Sequence, residues 1–275
     1  MRVCFALLVL LATACATPKP PPEPLAKSRL AEAEARAAAL ARTGDYPAAA
    51  KFYGDALRMA TALENADAIA ANAINLSVVE QWLGRNDEAR KALAAVLDDP
   101  RTPFSERRML QAELRRAILE LSVNNVGAAA VWAGQAERRC AGLSCEYAAT
   151  ILNVRAQVEL QSGHGADAER LAAAAAEHAG SNPTERANAL RTMGRARQAQ
   201  GQAAAAIDPL QRALALDREL GDPRKILADL SELSRAADAA GDTRAASDYR
   251  ERSLAVSRAM SDGKSTAEME ALLRR

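Results

Sequence analysis

The sequence predicts an all-α fold made of about six helical hairpins, each about forty residues long. Three observations lead to this prediction. The 275-residue chain is 49% apolar but only 3% aromatic, and an alanine-rich chain of this kind favours closely packed helices over sheets, which depend on β-branched and aromatic side chains. A turn-forming residue followed five places later by alanine recurs at intervals of 38 to 40 residues. Prolines stand between the units that this spacing defines.

Each predicted hairpin turns at a residue that adopts positive φ easily and can therefore end a helix. A small side chain one turn into the second helix lets the two helices approach closely, and a small residue seven places later lies on the same helix face. The six turn residues are Gly44, Gly84, Asn124, Gly163, Gly201 and Gly241. The residues five places later are Ala49, Ala89, Ala129, Ala168, Ala206 and Ala246. The residues seven places further on are Ala56, Val96, Ala136, Ala175, Ala213 and Ser253.

This pattern resembles the packing seam of tetratricopeptide (TPR) repeats, most closely in residues 44–57 and 190–214. The resemblance implies a right-handed α-solenoid of about six TPR-like hairpins over residues 26–260, followed by a short C-terminal capping helix within 261–275. The implied hairpins cover about 26–62, 66–98, 103–138, 144–179, 183–219 and 222–260. The units exceed the usual 34-residue period by about four to six residues, which predicts helices longer by about one turn.

Proline positions predict where several hairpins begin. Each of four prolines follows a residue that can cap a helix, so a helix is expected to start there. The four pairs are Asp99-Pro100, Thr102-Pro103, Asn182-Pro183 and Asp222-Pro223.

The N-terminus indicates export. A basic start precedes the apolar run Val3 to Leu11, which is too short to span a bilayer but suits a signal-peptide core. Leu11-Ala12-Thr13-Ala14-Cys15 resembles the lipobox of bacterial lipoproteins, which implies a signal peptide over 1–14 and lipidation at Cys15. Ala12-Thr13-Ala14 also fits the A-x-A site of ordinary signal peptidase, so a secreted, unlipidated protein is the alternative.

The residues after Cys15 support the lipoprotein interpretation. The proline-rich run from Thr17 to Pro24 cannot form a helix and suits an extended tether, so residues 15–25 are predicted to be anchor and tether. Ala16 after the cysteine resembles the outer-membrane sorting signal of Gram-negative lipoproteins. The predicted location is the outer membrane, facing the periplasm.

Composition argues against two classes of function. The net charge is +1, with 36 basic and 35 acidic residues, so no global field attracts nucleic acid. His164 and His178 are the two histidines of the chain, and neither belongs to a catalytic or metal-binding motif. We therefore predict no enzyme activity, no cofactor and no metal site.

The segment Cys140-Ala-Gly-Leu-Ser-Cys145 joins the third and fourth units. Because an exported protein folds in an oxidising compartment, a disulfide between Cys140 and Cys145 is expected, with free thiols as the alternative. A metal site would need two more ligands.

The TPR resemblance also implies a groove that holds a partner's peptide, lined by the first helix of each hairpin. Residues two, six and ten places before the turn residue are expected to face it. The candidate groove residues are Ile74, Val78, Trp82, Asn153, Gln157, Arg191, Arg195 and Arg235. Asn153, Gln157, Arg191 and Arg195 loosely resemble a clamp for a carboxylate. The alternatives are that the apolar three pack against the next hairpin and that the arginines form a solvated face.

These expectations define a functional hypothesis by analogy with the fold. The protein is predicted to be a membrane-tethered scaffold or adaptor in the bacterial envelope, which contacts the membrane through its lipid alone and binds other envelope proteins or their segments. The alternative is a secreted, unlipidated structural subunit that self-associates through the solenoid ends.

Overall fold

The computed structural model describes residues 25–141 and 145–260, in which there are twelve α-helices and no strand. The signal peptide, Cys15, the proline-rich run and the capping helix within 261–275 lie outside the described residues. None of the described helices is both long enough and apolar enough to cross a membrane.

The helices form six consecutive antiparallel pairs, each pair packed on the next. Their bounds are α1 Leu25–Thr43, α2 Tyr46–Ala62, α3 Ala66–Trp82, α4 Asn86–Leu97, α5 Glu106–Ser122, α6 Val126–Ala141, α7 Ala148–Gln161, α8 Gly165–His178, α9 Pro183–Ala199, α10 Ala203–Leu220, α11 Pro223–Ala239 and α12 Thr243–Ala259. Odd-numbered helices are the first of each pair, and they also contact one another from α3 to α11. The prediction of an all-α solenoid is confirmed.

Each pair turns at the residue that the sequence indicates. The five predicted glycines have φ between 74° and 86°, and Asn124 has φ 59°. Positive φ is strained for most residues but is readily adopted by glycine and tolerated by asparagine. The turn in the third unit is therefore built in the same way as the others, although it lacks glycine.

The predicted seam is buried throughout. All six alanines five places after the turns are fully buried, and so are the six small residues seven places further on. Second helices pack tightly on first helices because these positions carry small side chains, alanine in ten of the twelve.

Two of the four proline pairs begin helices, as predicted. Asn182 and Asp222 cap α9 and α11, accepting hydrogen bonds from backbone N–H groups of the first turn. The prediction is wrong for α5, which begins at Glu106 behind the cap Ser105. There Asp99 accepts hydrogen bonds from Arg101 and Thr102, and this local turn competes with a helix start.

Another proline lies inside a helix. Pro209 in α10 has no N–H to donate to the carbonyl of Ala205, four residues earlier. Nη1 of Arg197 in α9 donates to that carbonyl instead, at 2.9 Å. The freed backbone group is thereby satisfied by the neighbouring helix.

Helix α5 buries two faces. Leu110, Leu114 and Leu121 belong to a cluster with α6 and α7, whereas Leu119 packs with α3 and α4. Ile118 belongs to neither cluster and is 37% exposed. It faces a cavity on the surface of the first helices.

Candidate binding groove

Three cavities lie along the surface formed by the first helices, which we call the groove. The largest, of 700 Å³, lies between α1 and α3 and has a mainly polar lining that includes Lys27, Glu34 and Asn75. A central cavity of 340 Å³ is lined by residues of α3, α5, α7 and α9 and by Tyr147. The third, of 370 Å³, lies between α7, α9 and α11. Because four successive first helices reach the central cavity, the surface is concave there.

The central cavity has an apolar wall and a polar wall. Ile74, Leu114 and Ile118 are its large apolar lining residues. Its polar lining residues are Asn75, Arg108, Gln111, Arg115, Tyr147, Thr150 and Glu185. Concave sites of this mixed character are the usual place for a ligand or a partner's side chain.

Most polar groups of this cavity are held by neighbouring helices. Arg108 donates to both carboxylate oxygens of Asp67, at 2.6 and 2.8 Å, and this contact lowers the pKa of Asp67. Gln111 donates to the hydroxyl of Tyr147 at 2.5 Å. These bonds tie α5 to α3 and to the start of α7, and they fix the shape of the cavity.

Arg115 differs from the other cationic side chains of the groove because it is almost completely buried, with 8% exposure. Its Nε donates to the hydroxyl of Ser77 and its Nη2 to the carbonyl of Ser77, each at 2.9 Å, and Nη2 also donates to Gln81. Burial lowers the pKa of Arg115 to about 10, which leaves the guanidinium charged at neutral pH.

The C-terminal cavity contains two of the predicted groove residues. Arg195 and Arg235 both form ion pairs with Glu232, at 3.3 and 2.6 Å, and Leu160 and Gln198 complete the lining. Because two guanidinium groups share one carboxylate, this part of the groove keeps an excess positive charge.

The structure does not bring Arg191 and Asn153 together at the groove surface as the predicted clamp requires. Arg191 forms ion pairs with the fully buried carboxylates of Asp217 in α10 and Asp229 in α11. Asn153 is buried and accepts a hydrogen bond from Thr192 at 2.8 Å. Neither side chain is available to a partner's carboxylate. Gln157 is half-buried in α7.

Polar contacts between neighbouring first helices explain this outcome. Hydrogen bonds join residues one repeat apart, with sequence separations of 38 or 39. The pairs are Asn72 with Glu34, Arg115 with Ser77, Arg191 with Asp229 and Thr192 with Asn153. Their angular positions on the helices predict that Arg191 and Asn153 face the groove. Each instead forms a hydrogen bond with a residue of an adjacent first helix, Arg191 as donor and Asn153 as acceptor, and both lie in the interface between helices.

Of the predicted apolar groove residues, Ile74 lines the central cavity, Val78 is half-buried and Trp82 is 44% exposed. The rings of Trp82 and Tyr46 lie 4.9 Å apart. The guanidinium of Arg224, at the start of α11, lies over both rings, and its Nε donates to the Tyr46 hydroxyl at 3.0 Å. The sixth hairpin therefore touches the first and second.

The remaining candidates lie away from the groove's cavities. Cys140 and Cys145 form a disulfide with a Cα–Cα distance of 5.3 Å. His164 is exposed in the turn between α7 and α8, with Nδ1 2.8 Å from a carboxylate oxygen of Glu159. His178 is exposed at the end of α8. Within residues 25–141 and 145–260, no group of three His, Cys, Asp or Glu side chains is arranged to hold a metal ion.

Sequence reasoning missed the residues that build the central cavity, namely Arg115, Ile118, Tyr147 and Glu185. A signal existed for Ile118, since an isoleucine next to the buried face of an amphipathic helix has no place in the core. Tyr147 and Glu185 lie near α5 because of the way successive hairpins stack on one another. No local sequence pattern predicts that these residues line one cavity.

No protein-family model matches the sequence, and no curated protein matches it. Solved structures do. The chain is similar to a STAND signal-transduction ATPase with a tetratricopeptide repeat sensor from Pyrococcus horikoshii, with TM-score 0.64 and 15% identity over 90% of this chain and 37% of that one. It is also similar to PilW, a type IV pilus biogenesis factor, with TM-score 0.57 and 16% identity over 87% and 97% of the two chains.

A third similar structure is PilF of Pseudomonas aeruginosa, with TM-score 0.50 and 17% identity over 76% of this chain and 92% of that one. At such identities the likeness concerns the fold alone. The chain has a TPR-like α-solenoid fold.

Proposed function

We propose that this protein is a membrane-tethered adaptor of the bacterial envelope that holds a segment of a partner protein in the groove. The central cavity carries the proposal. Four successive first helices converge on it, it offers both apolar and polar walls, and its 340 Å³ suits one or two side chains of a bound segment.

The envelope location is supported by independent observations. The N-terminal sequence resembles a lipoprotein signal followed by a tether. PilW, which has a similar fold, is a pilus biogenesis factor. A disulfide between Cys140 and Cys145 suits an oxidising compartment.

Site-specific photo-crosslinking in intact cells tests the groove. A photoreactive amino acid at position 118, in the central cavity, is expected to give a discrete adduct. The same amino acid at Val131, which is 58% exposed on the second helix α6, is the matched control and should give none.

The captured partner then has to bind the purified protein directly. Ile118→Glu should weaken that binding by at least about tenfold, because it places a charge on the apolar wall. Val131→Glu should leave binding unchanged. Equal weakening by both variants, or adducts from position 131 alone, would contradict the groove proposal.

Mass spectrometry of the mature protein tests the anchor. We expect an N-terminus at Cys15 that carries lipid, and Cys15→Ser should release the protein from the membrane fraction. An unmodified N-terminus, together with concentration-dependent self-association, would instead support the secreted structural subunit.

A further inference from the structure

Arg115 carries a buried charge that no carboxylate compensates within the described residues. Seven other arginines with side chains less than 30% exposed each form an ion pair with a carboxylate. They are Arg90, Arg108, Arg116, Arg139, Arg191, Arg197 and Arg250. Arg115 is buried, yet within the described part of the chain its hydrogen bonds go to neutral oxygens of Ser77 and Gln81.

A buried cation without a counter-ion is costly. Transfer of a guanidinium from water loses solvation that neutral acceptors replace only in part. Burial accordingly lowers the pKa of Arg115 to about 10, and within the described residues no ion pair with a carboxylate opposes this. If this position served packing alone, an uncharged side chain would cost less free energy to bury.

The charge of Arg115 lies where it can contact a ligand. Arg115 lines the central cavity, beside the apolar surface of Ile74 and Ile118. The hydrogen bonds that Arg115 donates to Ser77 and Gln81 hold the guanidinium in place, so a ligand that reaches it meets a fixed donor. Arg108 lines the same cavity, but Asp67 already neutralises it.

A carboxylate on the α9 side of the cavity restricts the chemistry of the ligand. Glu185 in α9 also lines the cavity, and its Oε2 is buried without a hydrogen-bond partner in the described residues. Its charge favours an N–H donor on that side and repels a second anion. The cavity therefore suits a group that presents one carboxylate to α5 and a hydrogen-bond donor to α9, as a peptide with an acidic side chain and a backbone amide does.

We propose that Arg115 is the recognition residue for an acidic side chain, Asp or Glu, of the partner segment, with a neighbouring apolar residue of that segment on Ile74 and Ile118. This deepens the proposed function and rests on it. A charge-assisted contact with a buried guanidinium discriminates strongly between a carboxylate and an amide.

The test is a selection of random peptides from a phage library on the full-length protein purified in detergent. Wild-type protein should enrich peptides with Asp or Glu beside an apolar residue. Synthetic peptides from the enriched set should bind the wild-type protein about tenfold or more tightly than their Glu→Gln or Asp→Asn twins, because hydrogen bonds to charged groups are the stronger ones. This comparison needs no protein variant.

Variants then assign the preference to Arg115. Arg115→Gln should lose the difference between the acidic peptide and its amide twin, and Arg115→Lys should keep part of it. Arg116→Gln is the matched control, since Arg116 pairs with Glu120 and lies over Trp132 rather than lining the cavity. Circular dichroism establishes that each variant is folded.

The outcomes separate the two proposals. If wild-type protein enriches no peptide, groove binding itself fails. If it enriches peptides that bind equally well as acid and amide, or if Arg115→Gln keeps the acid preference, groove binding stands and recognition by Arg115 is overturned.

Discussion

A Cβ atom built on Gly194 would lie 2.5 Å from Cγ of Leu210. Leu210 is fully buried at the centre of the cluster between α10 and α11, and the carbonyl of Ala206 is 3.2 Å from the same Cβ position. The absence of a side chain at Gly194 thus leaves room for Leu210 of α10.

We therefore expect Gly194→Ala to lower the free energy of unfolding by about 1–2 kcal/mol. Overpacking costs about 1–3 kcal/mol, and the better helix propensity of alanine returns about 0.5–1 kcal/mol. Gly54→Ala in α2 is the control, because the nearest atom is an Arg58 side-chain nitrogen at 3.8 Å. Urea denaturation should show the first variant destabilised and the second unchanged or stabilised; similar values for both would contradict the packing argument.

The seam illustrates what the sequence predicted well. Turn residues and small side chains act locally, through backbone conformation and helix approach, so their spacing alone located every hairpin turn. The groove was harder to predict because it depends on which first helices become neighbours. Arg191 has the angular position of a groove residue, but Asp229, 38 residues later, faces it from the next first helix. The ion pair between Arg191 and Asp229 therefore decides where the Arg191 side chain lies, and its angular position on the helix does not.

Partner chemistry was least accessible from the sequence. Arg115 lies two residues after Glu113 and directly before Arg116. The sequence of this segment is typical of a solvated, charged helix face. In the structure Glu113 is buried against Arg139, and Arg116 pairs with Glu120. The unusual state of Arg115 becomes visible only when each neighbour's partner is known.

The carboxylate of Asp229 should make stability depend on pH. Burial raises the pKa of Asp229 to about 7, and nearby Asp217 contributes in the same direction against the opposing effect of Arg191. Between about pH 4 and pH 7 the folded protein holds a proton that the unfolded chain has released. The free energy of unfolding should therefore fall as pH rises through this range, by at most about 1.4 kcal/mol per pH unit.

Asp229→Asn carries no titrating group at this position and should remove that slope, so that the stability of the variant relative to wild type rises between about pH 4 and pH 7 and is constant above that range. Asp87→Asn, at a carboxylate with 96% exposure, should keep the wild-type slope. Urea titrations at several pH values measure both. A slope that survives in Asp229→Asn would show that other groups cause it.

The disulfide between Cys140 and Cys145 should stabilise the protein modestly. It closes a loop of six residues, for which the loss of unfolded-state entropy corresponds to roughly 2 kcal/mol. Unfolding in the presence of a reductant should show this loss. The double variant Cys140→Ser, Cys145→Ser should match the reduced protein and be insensitive to reductant, whereas a loss shared by this variant would point to another effect of the reductant.

The contact of Arg224 with Tyr46 and Trp82 should hold the sixth hairpin against the first two. Arg224→Ala removes a hydrogen bond of 3.0 Å and two cation–π contacts, each worth about 0.5–1 kcal/mol at an exposed site. In a Trp132→Phe background, which leaves Trp82 as the one tryptophan, we expect stronger acrylamide quenching of Trp82 and a larger radius of gyration by small-angle scattering. Arg36→Ala is the control, since Arg36 lies over Phe52. Unchanged quenching and radius in Arg224→Ala would show that neighbour-to-neighbour packing alone sets the curvature of the solenoid.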